Sequence, residues 1–78
     1  MTIKIQIELI GWLKRYSPEE DPVMIELMFP ETVDKIFIKA GIPREEIGII
    51  KAGENRLSLN HLISEDIYMV AYPTILGG

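Results

Sequence analysis

The sequence has no cysteine and one histidine, His61. The lack of cysteine excludes disulfide bonds, thiolate metal sites and thiol catalysis, and it gives no information on the redox compartment. Small domains often depend on cross-links or metals, so packing must stabilise this chain of 78 residues. An isolated imidazole is more often structural than catalytic, and we interpret His61 in that way.

Clusters of basic residues and long apolar runs are also missing. The chain carries 12 acidic and 8 basic residues, for a net charge of −4, and the basic residues are scattered. We therefore expect no nucleic-acid partner, because phosphate binding needs clustered basic side chains. No stretch approaches the roughly 18 apolar residues of a membrane span, and Lys4 and Glu8 interrupt the N-terminal apolar residues, unlike in a signal peptide. We expect a cytoplasmic protein without a membrane partner.

The acidic residues do not form a recognisable catalytic or metal site. Glu19–Asp21 is interpreted as a solvated loop, since a hard-cation site needs more converging oxygens. Four further acidic residues are interpreted as solvated surface, with steering toward a basic groove of a partner as the alternative: Glu45, Glu46, Glu65 and Asp66. Neither paired carboxylates nor a Ser/His arrangement indicates catalysis by this chain, and we expect a protein that is not an enzyme.

Alternating apolar and polar residues from Ile3 to Leu9 predict a first strand with one buried face. A proline-bounded loop, Ser17–Pro22, turns the chain back. The remaining apolar runs predict further strands at Val23–Phe29, Ile49–Ala52, Leu57–Leu59 and Ile67–Tyr72. In the connection after the first strand, Trp12, Leu13 and Tyr16 are interpreted as lids on the core, with partner contact as the alternative.

A helix of about ten residues is predicted between the second and third strands. Thr32 is a suitable N-cap, Asp34 suits the first turn, and Gly41 suits the C-terminal end. One apolar face has helical spacing: Val33, Ile36, Phe37 and Ala40. Pro43 stops the helix, and a further single turn is predicted at Arg44–Ile47.

This order of elements predicts an α+β fold. A hairpin, a crossing helix and a return hairpin describe a β-grasp roll, in which a mixed sheet of four to five strands packs on one helix. We expect one domain spanning residues 1–78, with residues 73–78 as a flexible tail.

The sequence ends in Thr74-Ile75-Leu76-Gly77-Gly78, directly after the last predicted strand and Pro73. A frayed terminus or a cloning remnant would be without function. In the functional interpretation, the two glycines present an unhindered carboxylate and let the backbone enter a narrow channel.

From Ile3 to Gly78 the chain resembles the MoaD/ThiS family of ubiquitin-like sulfur carriers, and more closely the small molybdopterin-synthase subunit than the thiazole-synthesis carrier. Three segments carry the resemblance: Thr32-Val33 at the start of the helix, Gly41–Gly48, and Tyr72-Pro73 ahead of Ile75–Gly78. The chain departs from the family pattern at Ala52-Gly53, Ser64–Asp66 and Thr74.

The resemblance implies that an E1-like partner uses ATP to adenylate Gly78, which then becomes a thiocarboxylate. This sulfur would go to the larger molybdopterin-synthase subunit or to another sulfur-accepting enzyme. The implied reactive residue is Gly78, and the implied tail and partner-binding residues are Tyr72, Pro73, Thr74, Ile75, Leu76 and Gly77. No bound cofactor is expected. A thiamine or other sulfur-transfer carrier, a modifier conjugated to lysines through Gly78, and a pure interaction domain remain alternatives.

The last predicted strand also indicates where a partner would bind. If Ile67, Met69 and Ala71 face the helix, the two-residue period turns Tyr68, Val70 and Tyr72 outward. Exposed aromatic residues are favoured interface anchors. We therefore expect the partner surface on this outer face, continuous with the tail.

Overall fold

The chain folds into a mixed β-sheet and an α-helix. The structure, a computed structural model, describes residues 2–17 and 22–74. In chain order the elements are β1 (Ile3–Leu9), a first 3-10 helix (Gly11–Tyr16), β2 (Val23–Leu27), β3 (Glu31–Thr32), α1 (Val33–Lys39), a second 3-10 helix (Arg44–Glu46), β4 (Ile47–Ala52), β5 (Asn55–Arg56), β6 (Leu62–Ile63) and β7 (Ile67–Pro73). The predicted α+β class is confirmed.

The main sheet has five strands in the order β2-β1-β7-β4-β5. Its inner strands β1 and β7 are parallel, with Ile5 opposite Ile67 and Leu9 opposite Ala71. The neighbouring strands β2 and β4 pair with them in the antiparallel sense, while β3 and β6 form a separate two-stranded sheet. The C-terminal strand is therefore hydrogen-bonded on both sides, in the middle of the sheet.

The helix begins where the sequence predicts. Thr32 is the N-cap, and its side-chain oxygen accepts a hydrogen bond from the backbone N–H of Lys35 at 3.4 Å. The predicted apolar face is buried at Val33, Ile36 and Phe37, so the helical period correctly identified the side that meets the sheet.

The helix ends earlier than expected, after seven residues at Lys39. Gly41 has φ 77, its N–H donates to the carbonyl of Ile38, and the N–H of Ile42 donates to the carbonyl of Phe37. This is a Schellman motif, which reverses the chain and satisfies the last carbonyls. Ile42 and Phe37 are both buried, so their packing accompanies the motif and fixes the helix end.

The prediction of a strand at Leu57–Leu59 is wrong. The N–H of Leu57 still donates to the carbonyl of Ile50 at 2.8 Å, but the carbonyl of Leu59 then accepts from Asp34 and that of His61 from Val33. The backbone of this segment therefore satisfies N–H groups at the start of the helix. The short strands form on either side of it, as β5 and β6.

The second strand was also predicted too long. It ends at Leu27, and Met28 and Phe29 follow in a bend with exposures of 70% and 74%. Pro30 comes next and has no N–H to donate to a strand ladder.

The fourth strand begins at Ile47, two residues before its predicted start. The expected turn before it is present as the second 3-10 helix.

The hydrophobic core lies between the inner face of the main sheet and the helix. Ile5 and Ile7 of β1 and Met69 and Ala71 of β7 are fully buried there. Leu13 is also fully buried and Tyr16 is packed against the core, which agrees with their interpretation as lids, whereas Trp12 is exposed. Within residues 2–17 and 22–74, no helix is long and apolar enough to cross a membrane.

Two isoleucines of α1 provide a matched test of this packing. Ile36 is fully buried and Ile38 is 60% exposed. We expect Ile36→Ala to lower the free energy of unfolding by about 2–5 kcal/mol, because it opens a cavity. Ile38→Ala is expected to lower it by less than about 1 kcal/mol, because the Ile38 side chain is largely exposed. Helix propensity changes equally in both variants, so the difference between them reports the packing. Urea unfolding measures both values, and equal losses would contradict the assigned helix face.

Candidate functional site

The candidate site is the place where β7 ends and the C-terminal tail begins. Of the predicted tail and partner-binding residues, the structure describes Tyr72, Pro73 and Thr74. Ile75–Gly78 lie outside the described residues, and their predicted roles, including that of Gly78, stay predictions. The acidic run Glu19–Asp21 also lies outside them. We define Pro73 and Thr74 as the tail base.

The predicted faces of the last strand are confirmed. Met69 and Ala71 are fully buried against the core, whereas Tyr68 and Tyr72 are 44% and 38% exposed on the opposite face. Val70, between the two tyrosines on that face, is half-buried. The alternation arises because successive side chains of a strand point to opposite sides of the sheet.

The outer face beside the tail base is apolar. The register of β4 and β7 places Ile49 opposite Tyr72, and both side chains are exposed. Nearer the start of β7, away from the tail base, the hydroxyl of Tyr68 donates to Glu8 Oε1 at 2.6 Å. This bond to a carboxylate is the main cause that raises the pKa of Tyr68 above its ordinary value of 10.0. The apolar part of the face that is nearest the tail is thus the pair Tyr72 and Ile49.

The tail base lies between two glycines. On the β4 side, a Cβ at Gly48 would lie 2.8 Å from the carbonyl oxygen of Pro73 and 3.0 Å from the Cα of Thr74. On the β1 side, a Cβ at Gly11 would lie 3.2 Å from Cγ of Pro73. The β4–β7 register shifts between Ile47 and Ile49, so Gly48 occupies the irregular position. Strand β4 therefore approaches the tail base more closely than a side chain at Gly48 would allow, and a side chain at Gly11, in the first 3-10 helix, would make a tight contact.

Glu46 is the second feature of the tail base. Its backbone carbonyl accepts a hydrogen bond from the N–H of Thr74 at 2.9 Å. Its side-chain Oε2 accepts one from the hydroxyl of Tyr16 at 2.7 Å, and Arg15 Nη2 lies 3.9 Å from Oε1. Glu46 thus links the first 3-10 helix to the residue from which the tail continues.

The interpretation of Glu46 as solvated surface is wrong, whereas Glu45, Glu65 and Asp66 are exposed as expected. Glu46 Oε1 is buried and has no hydrogen-bond partner among the described residues. The difference arises because Glu46 directly precedes β4, whose start pairs with the end of β7. Its place in the Gly41–Gly48 segment that carries the family resemblance was the available signal. His61 is exposed, and the contact it makes to the helix start comes from its backbone carbonyl.

The described residues contain no group of three or more His, Cys, Asp or Glu side chains that could hold a metal ion. The chemistry visible at the tail base consists of a phenol, a carboxylate and a guanidinium held in contact by Tyr16, Glu46 and Arg15. These groups hold the tail base and the first 3-10 helix together.

The contact between Tyr16 and Glu46 has a measurable titration. The hydrogen bond to the carboxylate, followed by partial burial, raises the pKa of Tyr16 above 10.0. We expect Glu46→Gln to lower the pKa of Tyr16, measured from tyrosinate absorbance, with Tyr16→Phe identifying the transition. Glu45→Gln removes the same charge without the hydrogen bond, so it should lower this pKa much less.

The raised pKa of Tyr16 also determines how the stability of the fold depends on pH. The folded state favours the protonated phenol, so this contribution is fully present below the unfolded pKa near 10.0 and is lost as the pH rises through the higher folded pKa. Unfolding midpoints measured across that pH window should therefore fall more steeply in wild type than in Tyr16→Phe. Parallel pH profiles would contradict the hydrogen bond.

Comparison of the sequence with protein-family models and with curated proteins finds no match.

Proposed function

We propose that this chain is a sulfur carrier protein whose C-terminal Gly78 is adenylated by an E1-like enzyme and converted to a thiocarboxylate. The sulfur would be donated in molybdopterin synthesis, by entry of the tail into the larger synthase subunit. The observation that carries the proposal is the tail base, because the central strand of the sheet ends at Pro73 and continues directly into Thr74. A chain end that leaves a rigid sheet from its middle is well placed to enter a second protein.

We further propose that the fold is a β-grasp roll. The parallel pair β1 and β7 at the centre of the sheet, an antiparallel strand on each side of it and a helix between the second and fourth strands support this assignment. The family that the chain resembles has this fold.

The chemistry explains why the tail carries glycines. An oxygen of the Gly78 carboxylate attacks the α-phosphorus of ATP and displaces pyrophosphate, which gives an acyl-adenylate. A sulfide-level donor then attacks the carbonyl carbon, and a C–S bond forms as the bond to AMP breaks. Glycine has no Cβ, so the backbone can approach phosphates closely. Pro73 belongs to β7 and Thr74 is hydrogen-bonded to Glu46, so residues 75–78 supply the reach, roughly 14 Å when extended, toward an active site inside a partner. The ATP belongs to the activating partner, and this chain binds no cofactor of its own.

The outer face beside the tail base supports a partner that covers it. Tyr72 and Ile49 are exposed there, whereas large apolar side chains are usually covered by a partner or by the protein itself. Continuity of this face with the tail means that one partner could contact both. A modifier conjugated to lysines would use the same surface and the same activated Gly78, so the acceptor distinguishes these two functions.

The proposal is tested first by intact-mass spectrometry. After incubation with ATP, a cognate E1-like enzyme and a sulfur donor, we expect the mass to change by exchange of one oxygen for sulfur. The same measurement establishes that Gly78 is the terminal residue. Gly78→Ala should react much more slowly, because its Cβ hinders the channel. A cognate pair that yields neither an adenylate nor the exchange would refute the carrier function. Lysines carrying a Gly-Gly remnant would favour the modifier.

The second test concerns the partner surface. We expect Tyr72→Ala to weaken binding of the E1-like enzyme or synthase subunit by about 1–3 kcal/mol, because it removes an aromatic anchor. Met28→Ala is the control, since Met28 is also exposed but follows β2 at the end of the sheet opposite the tail base. Calorimetry gives the affinities, and urea unfolding gives the stabilities. A loss of stability as large as the loss of binding in Tyr72→Ala would contradict the assigned role.

A further inference from the structure

We propose that Gly48 is a positioning residue for the reaction at Gly78. It lets the main chain of the tail base lie against β4 and so sets the direction in which the chain leaves the sheet. This inference rests on the proposed function. It adds a residue outside the tail to the machinery of transfer.

Gly48 is required for space and not for backbone conformation. The glycines with positive φ among the described residues are Gly11, Gly41 and Gly53, so alanine could adopt the backbone conformation of Gly48. A Cβ there would nevertheless lie 2.8 Å from the oxygen of Pro73 and 3.0 Å from the Cα of Thr74. Both are main-chain atoms, and they cannot rotate away as the end of a flexible side chain could. A side chain at this position must therefore displace either β4 or the tail base.

The surrounding contacts direct that displacement to the tail base. Before it, β7 is hydrogen-bonded to both of its neighbouring strands, and Met69 and Ala71 are fully buried in the core. On the side of β1, Pro73 lies beside Gly11, where an added Cβ would lie 3.2 Å from Cγ of Pro73, so there is little room for the ring to move that way. Thr74 follows β7, and its hydrogen bond to Glu46 is the last backbone contact of the described chain. It is the contact that can yield.

A displacement of Thr74 changes how the tail meets a partner. A partner that covers Tyr72 and Ile49 would be held against the sheet, so a displaced tail base would start the tail from a different position relative to that partner's active site. A misplacement of about 1 Å can lower a reaction rate by about 100-fold. Gly48 therefore affects the reaction without touching the reacting atoms.

The experiment compares Gly48→Ala with Gly53→Ala. Gly53 lies in the β4–β5 turn with φ 63 and has no atom within 4 Å of its Cβ position, so alanine strains the turn without contacting the tail base. At a temperature well below both melting transitions, we expect Gly48→Ala to lower kcat/KM for thiocarboxylate formation by about 10- to 100-fold. Gly53→Ala should stay within about twofold of wild type, since its effect is confined to stability.

Hydrogen exchange tests the same displacement in the free protein. Gly48→Ala should speed exchange of the Thr74 amide, which donates to Glu46, and leave the Met69 amide as protected as in wild type. Gly53→Ala should leave the Thr74 amide unchanged. An unchanged Thr74 amide in Gly48→Ala would overturn the inference whatever the partner does.

A second pair of variants approaches the tail base from the β1 side. Gly11→Ala places a Cβ against Cγ of Pro73, and Pro73→Ala removes that Cγ. Gly11→Ala should therefore lower the rate less when it is made in Pro73→Ala than when it is made in wild type. Pro73→Ala should give no such recovery with Gly48→Ala, because the oxygen of residue 73 and the Cα of Thr74 remain. Equal coupling in both cycles would contradict the assigned contacts.

The outcomes separate the two proposals. A wild-type chain that is not thiocarboxylated by its cognate partner refutes the sulfur-carrier function, and the role of Gly48 in that reaction falls with it. A wild-type chain that reacts, with Gly48→Ala reacting as fast as Gly53→Ala, overturns the role of Gly48 alone. Loss of rate in Gly48→Ala together with faster exchange at Thr74 supports both.

Discussion

The pairing of β7 between β1 and β4 is the constraint on which the rest of the structure depends. It brings the two ends of the sequence together, with Ile5 opposite Ile67, and it buries Met69 and Ala71 beneath the helix. Contacts of such long sequence separation are entropically costly because a large loop must close. The core is complete only with β7 in place, and the same pairing forms the tail base.

Local patterns in the sequence were sufficient to predict the elements in which apolar residues recur with a regular strand or helix period. The alternation in β1 and β7 and the helical spacing from Val33 to Phe37 each identified the buried side correctly. The caps at Thr32 and Gly41 were also correct, because capping depends on residues that are close in sequence. The strand predicted at Leu57–Leu59 failed because its backbone bonds to the start of the helix, a partner that no local pattern reveals.

The same distinction applies to the site. The outward direction of Tyr72 follows from a period of two, and it could be predicted. The close approach of Gly48 to Pro73 depends on the register of β4 against β7 and on its irregularity between Ile47 and Ile49. The contact of Glu46 with Tyr16 joins two short 3-10 helices that are far apart in the sequence. Both contacts depend on tertiary structure, so neither could be read from the sequence alone.

The hydrogen bond that holds Thr74 to Glu46 has a consequence for proteolysis. A carboxypeptidase digests a chain end that it can bind in extended form, and it would meet paired backbone at Thr74 and, behind it, a strand bonded on both sides. Digestion would therefore stop near the tail base and leave a folded remnant. Such a remnant would keep Tyr72 and Ile49 and lose Gly78. Under the proposed function, such a remnant would compete with the intact chain for the partner without delivering sulfur.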